Sequence, residues 1–123
     1  MVGTFENDSP YVEIKISGIS KQPKTIKALV DTGFNGYLTL PYAEAFPLGL
    51  VLFGIQSSTL ADGSLSHYFV CIGTVEVDGK SIETTIDIQP NCNVLLGTKL
   101  LKLLGKILVV DVMNAKVELK SSN

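Results

Sequence analysis

One carboxylate stands out by its setting. Asp31 follows the apolar run Ala28-Leu29-Val30 and precedes Thr32 and Gly33. An acid at the end of a hydrophobic strand is costly unless it is hydrogen-bonded or shares charge with a neighbour. With a hydroxyl and a glycine behind it, such an acid has the parts for general acid–base work on a water molecule. That chemistry needs two carboxylates. Held about 3 Å apart they cannot both ionise, so they share one proton. The ionised one acts as base toward a water, and the protonated one donates a hydrogen bond to the carbonyl under attack. The titration then belongs to the pair. The trio Asp31-Thr32-Gly33 occurs once, so either a second chain supplies the second acid or there is no catalysis. Thr32 offers a hydroxyl that can bond across to a partner loop. Gly33 leaves room for close backbone approach and tolerates unusual dihedrals. As a bare tripeptide the trio also has ordinary turn composition, so its context has to decide.

Other chemistries find little support. Cys71 and Cys92 are the only cysteines and lie far apart, and His67 is the only histidine. No CxxC or Cys/His metal spacing exists, and neither a metal nor an organic cofactor is implied. The net charge is −2, from ten basic and twelve acidic residues. Without a basic stripe, nucleic acid is not expected as a ligand. The stretch Met1 to Pro10 lacks the apolar core of a signal peptide, and no stretch approaches a membrane span in length. No membrane association is expected, and a soluble cytoplasmic location is.

With 123 residues, the chain has room for a single domain. Apolar residues make up 46% and charged ones only 18%, below the usual quarter. So small a chain has a high surface-to-volume ratio, and such a composition fits apolar surface covered by a partner as well as a merely hydrophobic β-domain.

The elements that must position Asp31 follow from periodicity. Residues 1–10 read as a flexible N-terminal arm, 11–120 as one domain and 121–123 as a C-terminal tail. Tyr11 to Ser17 alternates, with Val12, Ile14 and Ile16 on one face. Gly18 to Pro23 reads as a turn and Thr25 to Val30 as the returning strand, which delivers Asp31 into a loop. Tyr37 to Leu40 is a short strand. Pro41 to Phe46 can make one or two helical turns, ended by Pro47, and Leu48 to Phe53 is ambiguous. Strands Ile55 to Leu60 and Leu65 to Val77 flank Ala61-Asp62-Gly63-Ser64, an Asp-Gly hairpin signal; Asp78-Gly79 is a second one, before Ser81 to Ile88. Long paired strands around a small tip predict a projecting flap. Val94 to Leu96 is a buried strand, Thr98 to Leu104 a helix capped by Gly105, and Ile107 to Val112 and Lys116 to Leu119 a last hairpin. The predicted fold class is mostly β, a small closed sheet or barrel with one or two short helices.

The stretch Ala28-Leu29-Val30-Asp31-Thr32-Gly33 resembles the catalytic loop of retropepsin-like aspartic peptidases. Val94-Leu95-Leu96-Gly97, followed by the helix and Gly105, resembles that family's second signature, in which an apolar-apolar-glycine strand passes under the catalytic loop and supports it. The Ala61 to Ser64 hairpin falls where the family has its substrate-covering flap. The similarity spans roughly residues 11–120. Asp31 to Pro41 is close to the small single-domain prokaryotic members of the clan. The chain departs from the pattern at Phe34, where many members carry alanine. It also departs at Lys99, where many relatives have Asp or Asn, and at Asp62, in a flap tip that is nearly all glycine in viral members. The terminal strands that pair the viral dimer have no clear counterpart.

The resemblance implies a retropepsin-like half-domain and a homodimeric aspartic endopeptidase acting on a peptide or protein substrate. In it Asp31 is catalytic, Thr32 and Gly33 complete the loop, Leu95, Leu96 and Gly97 support it, and Ala61, Asp62, Gly63 and Ser64 cover substrate. A peptide-binding module without activity is the alternative on the same fold, and a structural role through the dimer a third. The remaining polar residues have plainer roles. Asp62 and Asp78 are expected in turns, Asp87 and Asp111 on a solvated face or in local hydrogen bonds, and His67 exposed. Cys71 is expected in the core and Cys92 in a loop. Leu100, Leu101, Leu103 and Leu104 are expected in the core or at a dimer contact.

Overall fold

The computed structural model describes residues 1–19 and 22–122. Ser20 and Lys21, in the expected turn of the first long hairpin, and Asn123, in the expected tail, lie outside it. The elements run β1 (Thr4–Glu6), β2 (Ser9–Ser17), β3 (Lys24–Val30), β4 (Leu38–Pro41), α1 (Tyr42–Ala45), β5 (Val51–Thr59), β6 (Leu65–Val77), β7 (Lys80–Gln89), β8 (Leu95–Leu96), α2 (Thr98–Leu104), β9 (Lys106–Asp111) and β10 (Lys116–Ser121). Mostly strand with short helices, this is the fold class that the periodicity predicts.

Alternation builds the sheet. Val12, Ile14 and Ile16 of β2 and Ile26, Ala28 and Val30 of β3 are buried, and the two strands pair with Val12 opposite Ala28 and Ile14 opposite Ile26. The main sheet runs β1-β2-β3-β8-β4-β7-β6-β5. The far end of β6 also pairs with β2, Val75 opposite Ile16. The path β2-β3-β8-β4-β7-β6 thus returns to its start and wraps one core. Leu38, Leu40, Ile86, Ile88, Leu96 and Leu100 are almost fully buried in it, each side chain contributing about 1.5–3 kcal/mol of burial free energy. Helix α2 supplies Leu100, Leu101 and Leu104 to the core, whereas Leu103 is exposed, because four leucines in five positions cannot share one helical face.

Turn chemistry sets the hairpins. Asp78 and Gly79 both have positive φ, 54° and 78°, the pair of dihedrals that a two-residue turn between right-twisted strands requires. Gly105 ends α2 at φ 66°, its N–H directed to Leu101 O and Lys102 O.

Three expectations need correction. The segment read as a flexible arm carries β1, with Glu6 opposite Ser9, and turns through Asn7 and Asp8 at φ 50° and 58°. These two residue types tolerate the left-handed region, a signal present in the sequence. Ahead of β1, Gly3 N donates to Val117 O (2.9 Å) and Leu119 N to Met1 O (2.8 Å), so the first residues add an edge to β10. At the other end, Ser121 belongs to β10 rather than to a tail, and Ser122 N donates to Gly105 O. Pro47 does not end the helical segment but lies in a 3-10 turn, Phe46–Leu48, closed by Gly49 at φ 65°. A proline fits an early helical position because it needs no N–H partner there.

Candidate active site

Asp31 is the first residue beyond β3, and two anchors hold it. Its backbone N–H donates to Leu96 O at 3.0 Å. Its side-chain Oδ1 accepts the Gly33 N–H at 2.9 Å, an Asx-type turn that aims the carboxylate along the loop. The side chain is half-buried, while Thr32 and Gly33 are exposed. The loop then tightens, with Phe34 N donating to Asp31 O at 3.1 Å.

The support comes from β8. Its two residues lie between the strands that enter and leave the loop, parallel to β3 (Leu29 opposite Leu95) and antiparallel to β4 (Leu38 opposite Leu96). A strand this short needs further ties. Leu29 N donates to Val94 O and Gly97 N to Tyr37 O, each at 2.9 Å. The buried Thr39 hydroxyl donates to Asn93 O at 2.7 Å and accepts the Leu95 N–H at 3.0 Å, so one side chain satisfies two backbone groups of the approaching strand. Beyond Gly97 the chain turns into α2, where Thr98 N donates to Phe34 O (3.0 Å) and Lys99 N to Gly36 O (3.1 Å). Gly97 has to be glycine, since a Cβ there would run into Gly36 O and Phe34 O.

The structure therefore joins Asp31, Thr32 and Gly33 to Leu95, Leu96 and Gly97. Thr39, Phe34 and Gly36 complete this arrangement. The sequence places Gly36 in the Asp31 loop and Thr39 in the strand beyond it, but not the contacts that they and Phe34 make with Asn93, Leu95 and the start of α2. Beside Asp31 and Thr32 a groove of about 400 Å³ runs past Leu29, Val30, Ser9 and Pro10 to Leu108 and Val110 of β9.

The Ala61 to Ser64 tetrad stands apart. It caps the β5–β6 hairpin, which pairs from Val51 opposite Ile72 to Thr59 opposite Leu65, and all four residues are exposed. Leu60 N donates to Ser64 O at 2.8 Å, and Gly63 adopts φ 87°. Asp62 Oδ1 accepts from both Ser64 N (2.9 Å) and Ser64 Oγ (2.6 Å). The Ser64 hydroxyl and then its N–H hold the Asp62 carboxyl below the usual range. Among the described residues, no hydrogen bond joins this tip to the Asp31 loop.

The other polar residues sort by contact. Asp78 pairs with Lys106 at 2.8 Å, and Asp111 takes two hydrogen bonds from Asn114. His67 is exposed and Cys71 belongs to the core. Asp87 is not on a solvated face. It is half-buried on β7 between Thr39 and Val70, and burial raises its carboxyl above the usual range. Burial likewise pushes the Cys92 thiol up. Among the described residues, no group of three His, Cys, Asp or Glu side chains is placed to hold a metal ion, and no helix is long and apolar enough to cross a membrane.

The fold that carries this loop is shared by solved structures. EIAV protease complexed with the inhibitor HBY-793 superposes with a TM-score of 0.63 at 21% identity, covering 85% of this chain and 95% of that one. The solution structure of simian foamy virus (mac) protease gives 0.58 at 19% identity, over 76% and 93%. This chain has the retroviral protease fold. No protein-family model matches the sequence, and no curated protein does.

Proposed function

We propose that the protein is an aspartic endopeptidase that works as a homodimer, each chain contributing Asp31. One observation carries the reading: in a retroviral protease fold, Asp31 is anchored by its backbone N–H on Leu96 O, and its half-buried carboxylate, which accepts the Gly33 N–H, stands at the head of an open groove. In the dimer one Asp31 takes the proton of a bound water, which attacks the scissile carbonyl. The other, protonated, donates a hydrogen bond to that carbonyl oxygen and stabilises the charge that develops there. An extended peptide lies as an added strand between the floor and the two Ala61-to-Ser64 tips, which act as flaps.

The second copy of the chain is supported from β9. Among the described residues that strand pairs only with β10, and β10 is completed on its other edge by the chain's own residues Met1 to Gly3. The free edge of β9 is apolar on both faces. Leu108 and Val110 line the Asp31 groove, while Ile107 and Val109 are exposed on the other side. Such a strand is a template for pairing, and a two-fold axis there brings one patch onto its own copy. The cytoplasmic location expected from the sequence belongs to the same reading.

The test is peptide cleavage by wild type and Asp31→Asn between acid and neutral pH, beside sedimentation over a dilution series. Loss of about 10²–10⁴-fold in the variant, with activity following the dimer, is expected. Full activity in Asp31→Asn overturns the reading. A monomer that binds peptides and cuts none is the peptide-binding module instead.

A further inference from the structure

We propose that Phe34 is a positioning residue: its ring, seated over Gly36 and Gly97, fastens the Asp31 loop to the start of α2 and sets the carboxylate for reaction. This rests on the peptidase reading. The backbone of Phe34 is tied in both directions, its N–H to Asp31 O and its carbonyl to Thr98 N, with Thr98 Oγ1 at 3.4 Å from the same carbonyl. The side chain is tied by space. A Cβ on Gly36 would strike the far end of the ring, Cζ and Cε1, and a Cβ on Gly97 would come within 2.7 Å of ring atom Cδ2. Two positions without side chains thus form one seat for an aromatic ring.

The rest of the loop has nothing comparable. Thr32, Gly33 and Asn35 are exposed, and of residues 32–35 only Phe34 packs its side chain into the fold. Asp31 itself is held by its N–H and the turn through Gly33. The ring thus adds side-chain packing to the two backbone hydrogen bonds, Thr98 N to Phe34 O and Lys99 N to Gly36 O, that tie the loop to α2. Two Asp31 groups must meet at hydrogen-bond distance, and a displacement of about 1 Å in such a pair costs about 100-fold in rate. A ring at residue 34 also accounts for the glycine at 36, which an alanine at 34 would not require, whereas Gly97 is already demanded by the backbone oxygens of Gly36 and Phe34.

The experiment is a double-mutant cycle of Phe34→Ala and Gly36→Ala, read as kcat, KM and the pH profile of peptide cleavage per folded dimer, with Asp31→Asn as the zero. Phe34→Ala is expected to lower kcat about 10- to 100-fold with KM within about twofold, and to shift the pH profile, since the shared proton responds to the separation of the acids. Gly36→Ala alone is expected to lower kcat as well, by unseating the ring. With the ring already absent, Gly36→Ala is expected to add little. Phe34→Leu, which keeps apolar bulk over both glycines, is expected to recover part of kcat. If Phe34→Ala does not fold, Phe34→Leu and Gly36→Ala carry the same cycle. A Phe34→Ala dimer that melts lower but keeps kcat and pH profile overturns the proposal. Additive effects of the two substitutions on kcat overturn it as well. Wild-type cleavage that survives Asp31→Asn overturns the peptidase reading, and this proposal with it.

Discussion

The Asp31 loop and the Ala61-to-Ser64 tip are both short and both contain glycine, yet they are held in opposite ways. The loop is crossed by β8, tied to α2 through Phe34 O and Gly36 O, and underpinned by the Thr39 hydroxyl. Its partners come from segments more than fifty positions away. Among the described residues, the tip is hydrogen-bonded only within itself, through Asp62, Ser64 and the Leu60 backbone. Its hairpin carries exposed Leu52, Phe53, Ile55, Leu60 and Leu65. The contrast has a physical sense. Under the proposed function, a reacting carboxylate would gain from being over-determined, whereas a segment that admits an extended peptide would have to open, and segments that open come from the least supported parts of a fold.

That contrast can be broken from the loop side first. Gly97→Ala drives a Cβ into Gly36 O and Phe34 O. Because backbone cannot step aside as a side-chain tip can, a loss of about 3 kcal/mol or more is expected. Thermal and denaturant unfolding would read it, and an unchanged midpoint would remove β8 from its supporting role. Thr39→Val keeps the shape but strands Asn93 O and Leu95 N. A loss of about 2–4 kcal/mol follows from two orphaned backbone groups, and Thr39→Ser is expected to restore most of it.

A third prediction sharpens the comparison through pH. Asp87 sits beside Thr39 on β7 with its folded pKa raised by burial. A raised carboxyl favours the folded state fully below its unfolded pKa, and that advantage is lost as pH rises through the folded value. Asp87→Asn is therefore expected to raise Tm at pH 7 and to lose that gain near the acid limit. A Tm difference that grows toward acid would refute the burial argument.

The smallest effect is expected at the tip. Asp62 is exposed, and hydrogen bonds from Ser64 hold its carboxyl low. A lowered carboxyl contributes above its unfolded pKa and loses its effect as pH falls through the folded value. Asp62→Ala is expected to leave the global Tm in place while amide exchange at Gly63 and Ser64 speeds several-fold. A large fall in Tm would mean that the tip is part of the cooperative unit, and the comparison would fail.

Much of this was legible before any fold was built. The run Ala28 to Val30 with Asp31-Thr32-Gly33 behind it, the Asp78-Gly79 turn and helix α2 with its Gly105 cap all rest on signals within a few neighbouring residues: hydrophobic period, turn dihedrals and capping. Asn7-Asp8 carries an equally local signal for a left-handed turn. What the sequence by itself determined is thus the place of the acid and the punctuation of the chain. The tertiary structure decided what holds the acid. The insertion of Leu95 and Leu96 between β3 and β4, the clamp of Thr39 on Asn93 and Leu95, the seat of Phe34 over Gly36 and Gly97, and the pairing of Met1 to Gly3 with β10 all join residues remote in sequence. No local propensity encodes such meetings. They are chosen when one core has to bury every apolar face at once and leave no buried backbone group unpaired.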